Sequence, residues 1–308
     1  MKHVLILDGG MSRELARLGA PLRQPEWSAL ALMESPDIVR QVHAEFIAAG
    51  ADVVTTNSYA LVPFHIGEER FRAEGRSLIR LAGQLARQAA DAAEHDVTVA
   101  GSLPPIFGSY EPENFDPTRV QDYLGVLVEG LVPFVDVWLG ETLSLIAEGE
   151  AVRRAVAATG KPFWISFTLA DDTSGEGDVP KLRSGETVEA AAEWATASGA
   201  RALLFNCSRP EVMEAAVRTA HAVFARNGSD MEIGVYANAF ESEADEEAAN
   251  ESLNETRRDL TSDRYLRFAC DWAEAGATMV GGCCGIGAAH IHHLARGLRR
   301  PEGGDPAP

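Results

Sequence analysis

The chain has 308 residues, of which 46% are hydrophobic and 24% are charged. This composition is typical of a soluble globular protein with a large core, and the length suits a single α/β barrel. The formal net charge of −19 disfavours nucleic acids and anionic membrane surfaces as partners, because both would be repelled.

Targeting signals are not evident in the sequence. The apolar run at the N-terminus is far too short for a signal peptide, and no run reaches the length of a membrane span. Four cysteines in a chain of this size fit a reducing compartment better than a disulfide scaffold. We therefore expect a cytoplasmic protein without a membrane partner.

Short apolar runs alternate with amphipathic helical stretches along the whole chain. In the first half, strands are predicted over 3–7, 51–56, 97–102 and 134–140, and helices over 36–50, 68–95, 117–131 and 143–160. In the second half, strands are predicted over 162–168, 200–206, 231–238 and 277–282, and helices over 185–199, 209–228, 262–276 and 287–299. Apolar strands in strict alternation with helices predict a parallel (β/α)8 TIM barrel. A doubly wound open sheet is the alternative.

The domain organisation is expected to be simple. Residues 1–300 form a single barrel domain, and the tail "PEGGDPAP" at 301–308 is expected to be disordered. The acidic segment 239–260 has the composition of a solvated loop or short helix, and its role is left open.

Polar residues and cysteines follow the predicted strands. In a TIM barrel, the residues just past the C-terminal end of each strand form the active-site face. Here these residues are Asp8, Asn57, Tyr59, Ser102, Glu141, Thr168, Asn206, Cys207, Asn238, Cys283 and Cys284. Three of the four cysteines therefore share one rim, whereas Cys270 lies within a predicted helix and is expected to be a packing residue.

The adjacent cysteines in "VGGCCGIG" raise a geometric question. Neighbours on a regular strand point to opposite faces, so Cys283 and Cys284 reach one target only where the backbone bends, as flanking glycines allow. Together with Cys207 they could form a zinc site with one open coordination position. The alternative is that Cys207 is a core residue and the pair is a vicinal disulfide or simply buried.

The other candidates have ordinary structural explanations as well. Asp8 could serve only as a turn or cap residue, and Glu141 could serve only to favour the start of the next helix. The histidines of "HIHH" at 290–293 lie on the last predicted helix, where we expect a solvated face and not a metal site.

At these residues the chain resembles the homocysteine S-methyltransferase family, over roughly residues 3–299. The resemblance rests on the motifs "LDGGMSREL", "EWSALAL", "GADVVTTNSY", "VAGSLPP", "GETLSLIAE", "WISFTL", "LLFNCS" and "AGATMVGGCCGIG". A cysteine after the sixth strand, combined with a glycine-flanked Cys-Cys after the eighth, is seldom met outside this family.

The resemblance implies a role for seven residues. Cys207, Cys283 and Cys284 would bind Zn²⁺, and Asp8 and Glu141 would hold the amino group of homocysteine. Trp27 and Tyr59 would form the wall near the methyl donor. For Trp27, plain core packing is an alternative. The implied reaction moves a methyl group from a cationic donor, S-methylmethionine or a similar sulfonium, to the thiol of L-homocysteine, giving methionine.

Several points stay open at this stage. The chain departs from the family pattern at "YANAF" and in the segment 239–260, which leaves the methyl donor undecided. Related thiols such as selenohomocysteine are alternative acceptors, and the oligomeric state is unknown. A homocysteine- and zinc-binding module that serves a separate corrinoid partner is the main alternative function. A zinc hydrolase is a further one, although no histidine lies convincingly at a strand end.

Overall fold

The computed structural model describes residues 4–171, 179–240 and 257–299, and these contain an eight-stranded parallel sheet. The strands are β1 (Leu5–Ile6), β2 (Val53–Thr55), β3 (Thr98–Leu103), β4 (Val137–Leu143), β5 (Phe163–Phe167), β6 (Ala202–Asn206), β7 (Glu232–Tyr236) and β8 (Met279–Val280). Their hydrogen-bonded order is β1-β8-β7-β6-β5-β4-β3-β2. A parallel bridge between Leu7 and Val53 joins β1 to β2. The predicted TIM barrel is confirmed, and the open-sheet alternative is not.

Helices follow the strands around the outside of the barrel. Within the described ranges they are α1 (Met11–Arg17), α2 (Ser28–Glu34), α3 (Pro36–Ala48), α4 (Pro63–Ile66), α5 (Glu68–Asp91), α6 (Val120–Leu131), α7 (Ile146–Val156), α8 (Val188–Ser198), α9 (Pro210–Asn227), α10 (Ser262–Ala275) and α11 (Ala288–Leu298). Two short 3₁₀ helices cover Pro112–Asn114 and Ala157–Thr159.

Three of these helices were not predicted, and all three are short. α1 and α2 have seven residues each and α4 has four, so none spans enough turns to produce a readable apolar period. They bury apolar side chains nonetheless, as Leu15 in α1 and Leu32 in α2 show. The loops after β1 and β2 are therefore packed structure and not simple connections.

Strand alternation separates two layers of core. On β4, Val137 and Leu139 belong to a small apolar cluster inside the barrel, whereas Trp138 packs into the larger cluster between strands and helices. Because side chains alternate with a period of two, the next inward position on β4 is Glu141. On β6, every second residue from Ala202 likewise faces the inside of the barrel, and the second such position after Ala202 is Asn206. The polar residues at the strand ends are thus continuations of the inner apolar rows.

The tail 301–308 lies outside the described residues, as does most of the acidic segment, 241–256. Within the described part of the chain, no helix is long and apolar enough to cross a membrane.

Candidate active site at the carboxyl end of the barrel

A cavity of about 150 Å³ lies at the carboxyl ends of the strands. All seven predicted site residues line it: Asp8, Trp27, Tyr59, Glu141, Cys207, Cys283 and Cys284. Asp8, Tyr59 and the three cysteines follow β1, β2, β6 and β8. Glu141 lies near the end of β4, and Trp27 comes from the segment before α2. Residues distant in sequence therefore meet because the parallel strands end on one face.

The sulfur atoms of three cysteines form the most compact group in this cavity. The Sγ atoms of Cys207, Cys283 and Cys284 lie within 4.8 Å of one another. Those of Cys283 and Cys284 are 3.9 Å apart, whereas Cys207 and Cys283 are joined as a disulfide. Among the described residues, this is the group of potential metal ligands close enough to share one ion. As a disulfide, Cys207 and Cys283 offer no thiolate, so metal binding requires their reduction.

Backbone geometry brings the adjacent cysteines to one side. Gly285 has a φ of 84°, which turns the chain sharply after Cys284. Cys283 N–H donates to the carbonyl oxygen of Ala237 at 2.9 Å, and Cys284 accepts from Ala239 N–H at 2.9 Å. These bonds fasten the cysteine loop to the end of β7.

Close backbone packing joins the same loop to the segment after β1. A Cβ atom at Gly10 would lie 2.5 Å from the carbonyl oxygen of Cys283, which is too close for any side chain to be accommodated without a shift of the backbone. Gly10 N–H donates to the carbonyl oxygen of Ile286 at 2.8 Å. The glycine in "LDGG" therefore allows the loop carrying Asp8 to approach the loop carrying the cysteines.

Asp8 is a buried carboxyl group held by one threonine. Its Oδ2 accepts a hydrogen bond from Thr55 N–H at 2.7 Å, and its Oδ1 accepts from Thr55 Oγ1 at 3.2 Å. Burial raises the pKa of Asp8 to about 8, and the nearby charge of Glu141 adds to this effect, while the Thr55 hydrogen bonds oppose it.

Glu141 is the second buried carboxyl group. Its Oε1 accepts a short hydrogen bond from Ser102 Oγ, which lies at the end of β3. Burial raises the pKa of Glu141 to about 7, with the Ser102 hydrogen bond opposing it. In the described part of the chain, neither Asp8 nor Glu141 forms an ion pair with a lysine, arginine or histidine. The two groups together form a pocket that would gain from a bound cation.

Asn206 ties the end of β4 to the end of β6. Its Oδ1 accepts from Thr142 N–H at 3.0 Å and from Ser166 Oγ at 2.6 Å, and its Nδ2 donates to Thr142 Oγ1 at 2.8 Å. Asn206 is fully buried, so these bonds are shielded from water. Thr142 and Cys207 both have positive φ values, 59° and 50°. The Asn206 side chain thus holds Thr142, the strained residue that directly follows Glu141. Asn206 itself directly precedes Cys207, the second strained residue.

Two aromatic residues form part of the cavity wall. Tyr59 Oη lies 2.6 Å from Ser109 Oγ, and Trp27 Nε1 donates a short hydrogen bond to Ser12 Oγ. The buried His65 ring lies near both, at centroid distances of 6.2 Å from Trp27 and 6.4 Å from Tyr59. Trp27 is half-buried; it lines the cavity and also packs against the main apolar core.

The remaining predicted positions divide into two groups. Asn57 lines the cavity, whereas Ser102, Thr168, Asn206 and Asn238 are buried behind it.

In "HIHH", His292 and His293 are exposed and His293 pairs with Asp263 at 3.1 Å, as expected of a solvated face. His290 instead turns toward the carbonyl oxygen of Leu260, at 3.3 Å.

Several cavity residues were not predicted from the sequence. Three come from loops, two from α1 and one from the end of β4: Ser109, Tyr110, Phe240, Ser12, Arg13 and Thr142. Arg13 and Tyr110 lie several residues beyond a strand end, so the rule that located Asp8 and Glu141 does not reach them. Arg13 acts on the cysteine cluster, because its charge opposes the burial that raises the pKa of Cys284 to about 11.

Comparisons with known proteins identify the family of this chain. The sequence model of the homocysteine S-methyltransferase family matches residues 5–298. Homocysteine S-methyltransferase 1 from Arabidopsis thaliana is 29% identical, covering 96% of this chain and 93% of its own. The metallated form of the homocysteine methyltransferase MmuM from Escherichia coli superposes with a TM-score of 0.78 at 26% identity, over 96% of both chains. Its oxidized form gives a TM-score of 0.75 at 28% identity, over 95% of both chains. This chain belongs to the homocysteine S-methyltransferase family.

Proposed function

We propose that this protein transfers a methyl group from a cationic sulfonium donor, S-methylmethionine or a close relative, to the thiol of L-homocysteine. The observation that carries the proposal is one cavity in which three cysteine sulfurs lie beside two buried carboxyl groups. A homocysteine molecule presents a thiol at one end and an ammonium group at the other. The alternative of a binding module for a corrinoid partner is not favoured, because the relatives are named as methyltransferases.

A zinc ion fits the cysteine cluster. Tetrahedral zinc with Zn–S bonds of about 2.3 Å separates its sulfur ligands by about 3.8 Å. The Cys283–Cys284 separation of 3.9 Å agrees with this value, and reduction would free Cys207 and Cys283 to separate to a similar distance. Three thiolates leave one position open and favour a borderline-soft ion. When bound, zinc would lower the pKa of a substrate thiol that joined the three cysteines.

The two carboxyl groups would hold the substrate ammonium. Both have raised pKa values because burial disfavours their charged forms, about 8 for Asp8 and about 7 for Glu141. A bound ammonium group compensates this cost, so the carboxylates would ionise on binding and orient the homocysteine backbone. Thr55 and Ser102 keep the carboxyl oxygens in place before the substrate arrives. Their contribution is positioning, since neither carboxyl group takes part in bond exchange.

The aromatic wall would receive the methyl donor. A sulfonium cation over the face of Trp27 or Tyr59 would gain about 0.5–2 kcal/mol. The homocysteine sulfur forms a bond to the donor methyl carbon, and the sulfonium C–S bond breaks with its electron pair remaining on the donor sulfur. The proton of the homocysteine thiol is released, so S-methylmethionine and homocysteine give two molecules of methionine.

The experiment uses purified protein kept reduced and loaded with zinc. Homocysteine is supplied with a panel of donors, including S-methylmethionine, S-adenosylmethionine and betaine, and methionine is measured. We expect methionine formation with a sulfonium donor, and a Cys283→Ser variant that lacks both bound zinc and activity. Cys270→Ser is the matched control, since Cys270 lies on α10 outside the cavity. Full activity of Cys283→Ser without bound metal would overturn the proposal.

A further inference from the structure

The cavity has a strong imbalance of charge-bearing groups. Two carboxyl groups and three cysteines line it, and all of them are neutral or negative. Among the described residues that line the cavity, Arg13 is the single lysine, arginine or histidine. Its side chain comes from α1, which begins three residues after Asp8. The loop that supplies one carboxyl group therefore also supplies the guanidinium.

The substrates of the proposed function carry an α-carboxylate for which the cysteines, Asp8 and Glu141 offer no partner. Homocysteine and S-methylmethionine are both α-amino acids with a carboxylate beside the ammonium group. The cysteines account for the thiol, and Asp8 and Glu141 account for the ammonium, but each of these is unfavourable for a carboxylate. A guanidinium group binds a carboxylate through two parallel hydrogen bonds.

We infer that Arg13 binds the α-carboxylate of an amino-acid substrate in this cavity. The inference rests on the proposed function and extends it, because it assigns the third functional group of the substrate. α1 borders both parts of the site: the charge of Arg13 acts on Cys284, and the neighbouring Ser12 bonds to Trp27. The carboxylate can therefore belong to the acceptor, beside the cysteines, or to the donor, beside the aromatic wall.

A second role for Arg13 makes a different prediction. If the guanidinium only balanced the negative charge of the cysteine cluster, its removal would slow every substrate alike. If it binds a carboxylate, its removal would slow only substrates that have one. Analogues without the carboxylate separate these roles.

The experiment compares the zinc-loaded wild-type protein with Arg13→Met, Arg13→Lys and Arg40→Met. Arg40 is an exposed residue of α3 away from the cavity and serves as the control. In the acceptor arm, homocysteine is compared with 3-aminopropane-1-thiol, which lacks the carboxylate. In the donor arm, S-methylmethionine is compared with (3-aminopropyl)dimethylsulfonium. Bound zinc and thermal unfolding are measured for each variant to verify that the site and the fold are intact.

We expect Arg13→Met to lower kcat/KM for the carboxylate-bearing compound of one arm by about 10- to 100-fold. The analogue without the carboxylate should change by less than about threefold, Arg13→Lys should recover part of the loss, and Arg40→Met should match the wild type. The arm in which the loss occurs identifies the substrate. Equal losses for both members of each pair, or no loss in either arm, would overturn the inference.

The same inference can be tested without turnover. Isothermal titration calorimetry measures the binding of each carboxylate-bearing compound and its analogue to the wild type and to Arg13→Met. A wild-type protein that transfers no methyl group from any donor would contradict the proposed function. Even then, loss in Arg13→Met of the preference for a carboxylate would support the assignment of Arg13, and an unchanged preference for both pairs would overturn it.

Discussion

His43 on α3 makes the fold sensitive to acid in a way that can be calculated. Its side chain is fully buried, and neither ring nitrogen has a hydrogen-bond partner in the described structure. Burial alone lowers the pKa of His43 from 6.5 to about 4. Because the unfolded chain binds a proton below pH 6.5 and the folded chain does not until about pH 4, stability falls as the pH decreases through this window.

The size of the effect follows from the difference in pKa. At 1.36 kcal/mol for each pH unit, a difference of about 2.5 corresponds to about 3 kcal/mol of lost stability at pH 4. Between pH 7.5 and pH 5 the loss is about 2 kcal/mol. His43→Met replaces the imidazole with an apolar side chain that adapts to irregular spaces, and it removes this loss.

Urea denaturation at pH 7.5 and pH 5.0 measures the free energy of unfolding of both proteins. Metal is removed with a chelator and the cysteines are kept reduced, since zinc binding depends on pH in its own right. The buried carboxyl groups of Asp8 and Glu141 contribute equally to both proteins and cancel in the difference. We expect His43→Met to gain about 2 kcal/mol relative to the wild type at pH 5.0 compared with pH 7.5.

The control for this experiment is His292→Met, on the exposed face of α11. It should reproduce the wild-type dependence on pH, because it replaces an exposed histidine and leaves the buried imidazole of His43 in place. The reasoning would be refuted if the difference between His43→Met and the wild type stayed constant within about 0.5 kcal/mol from pH 7.5 to pH 5.0.

Three further predictions concern the active site. Asp8→Asn should raise the KM for homocysteine by about 10- to 100-fold, because the ammonium loses a charged partner, with bound zinc unchanged by metal analysis; an unchanged KM would exclude Asp8 from the ammonium site. The ratio of kcat/KM for homocysteine to kcat/KM for 4-mercaptobutanoate, which lacks the ammonium group, should fall as the pH decreases from 8 to 6. Asp8 and Glu141, with pKa values of about 8 and 7, become protonated in this range and lose their attraction for the ammonium group. A constant ratio would contradict this. Asn206→Ala should lower the free energy of unfolding by about 1–3 kcal/mol in urea denaturation, because Thr142 N–H loses its buried acceptor, and unaltered stability would show that the network is dispensable.

Much of the active-site face could be predicted from the sequence because it depends on periodicity. Apolar strands alternating with helices specify a parallel barrel, and parallel strands place their carboxyl ends on one face. Asp8, Glu141 and the cysteines follow from that rule without knowledge of any long-range contact. The fold and the residues of the cavity therefore come from the same regular pattern.

The features that escaped prediction depend on long-range contacts. Asn206 fixes Thr142, a residue 64 positions away, and no local pattern indicates that pairing. The approach of Gly10 to Cys283 is set by packing between the first and last βα loops. Arg13 enters the cavity from a helix too short to be recognised by its apolar period. Loop side chains are oriented by neighbours that are remote in sequence, which a single chain does not reveal.

The pairing of β1 with β8 has a consequence for how the protein is made. These two strands of two residues each carry Asp8 and the adjacent cysteines at their ends, and they lie beside each other although they come from opposite ends of the chain. During synthesis, Asp8 emerges from the ribosome long before its neighbours exist. The cavity is therefore complete only after β8 has been translated and has docked, so under the proposed function a nascent chain cannot begin turnover early.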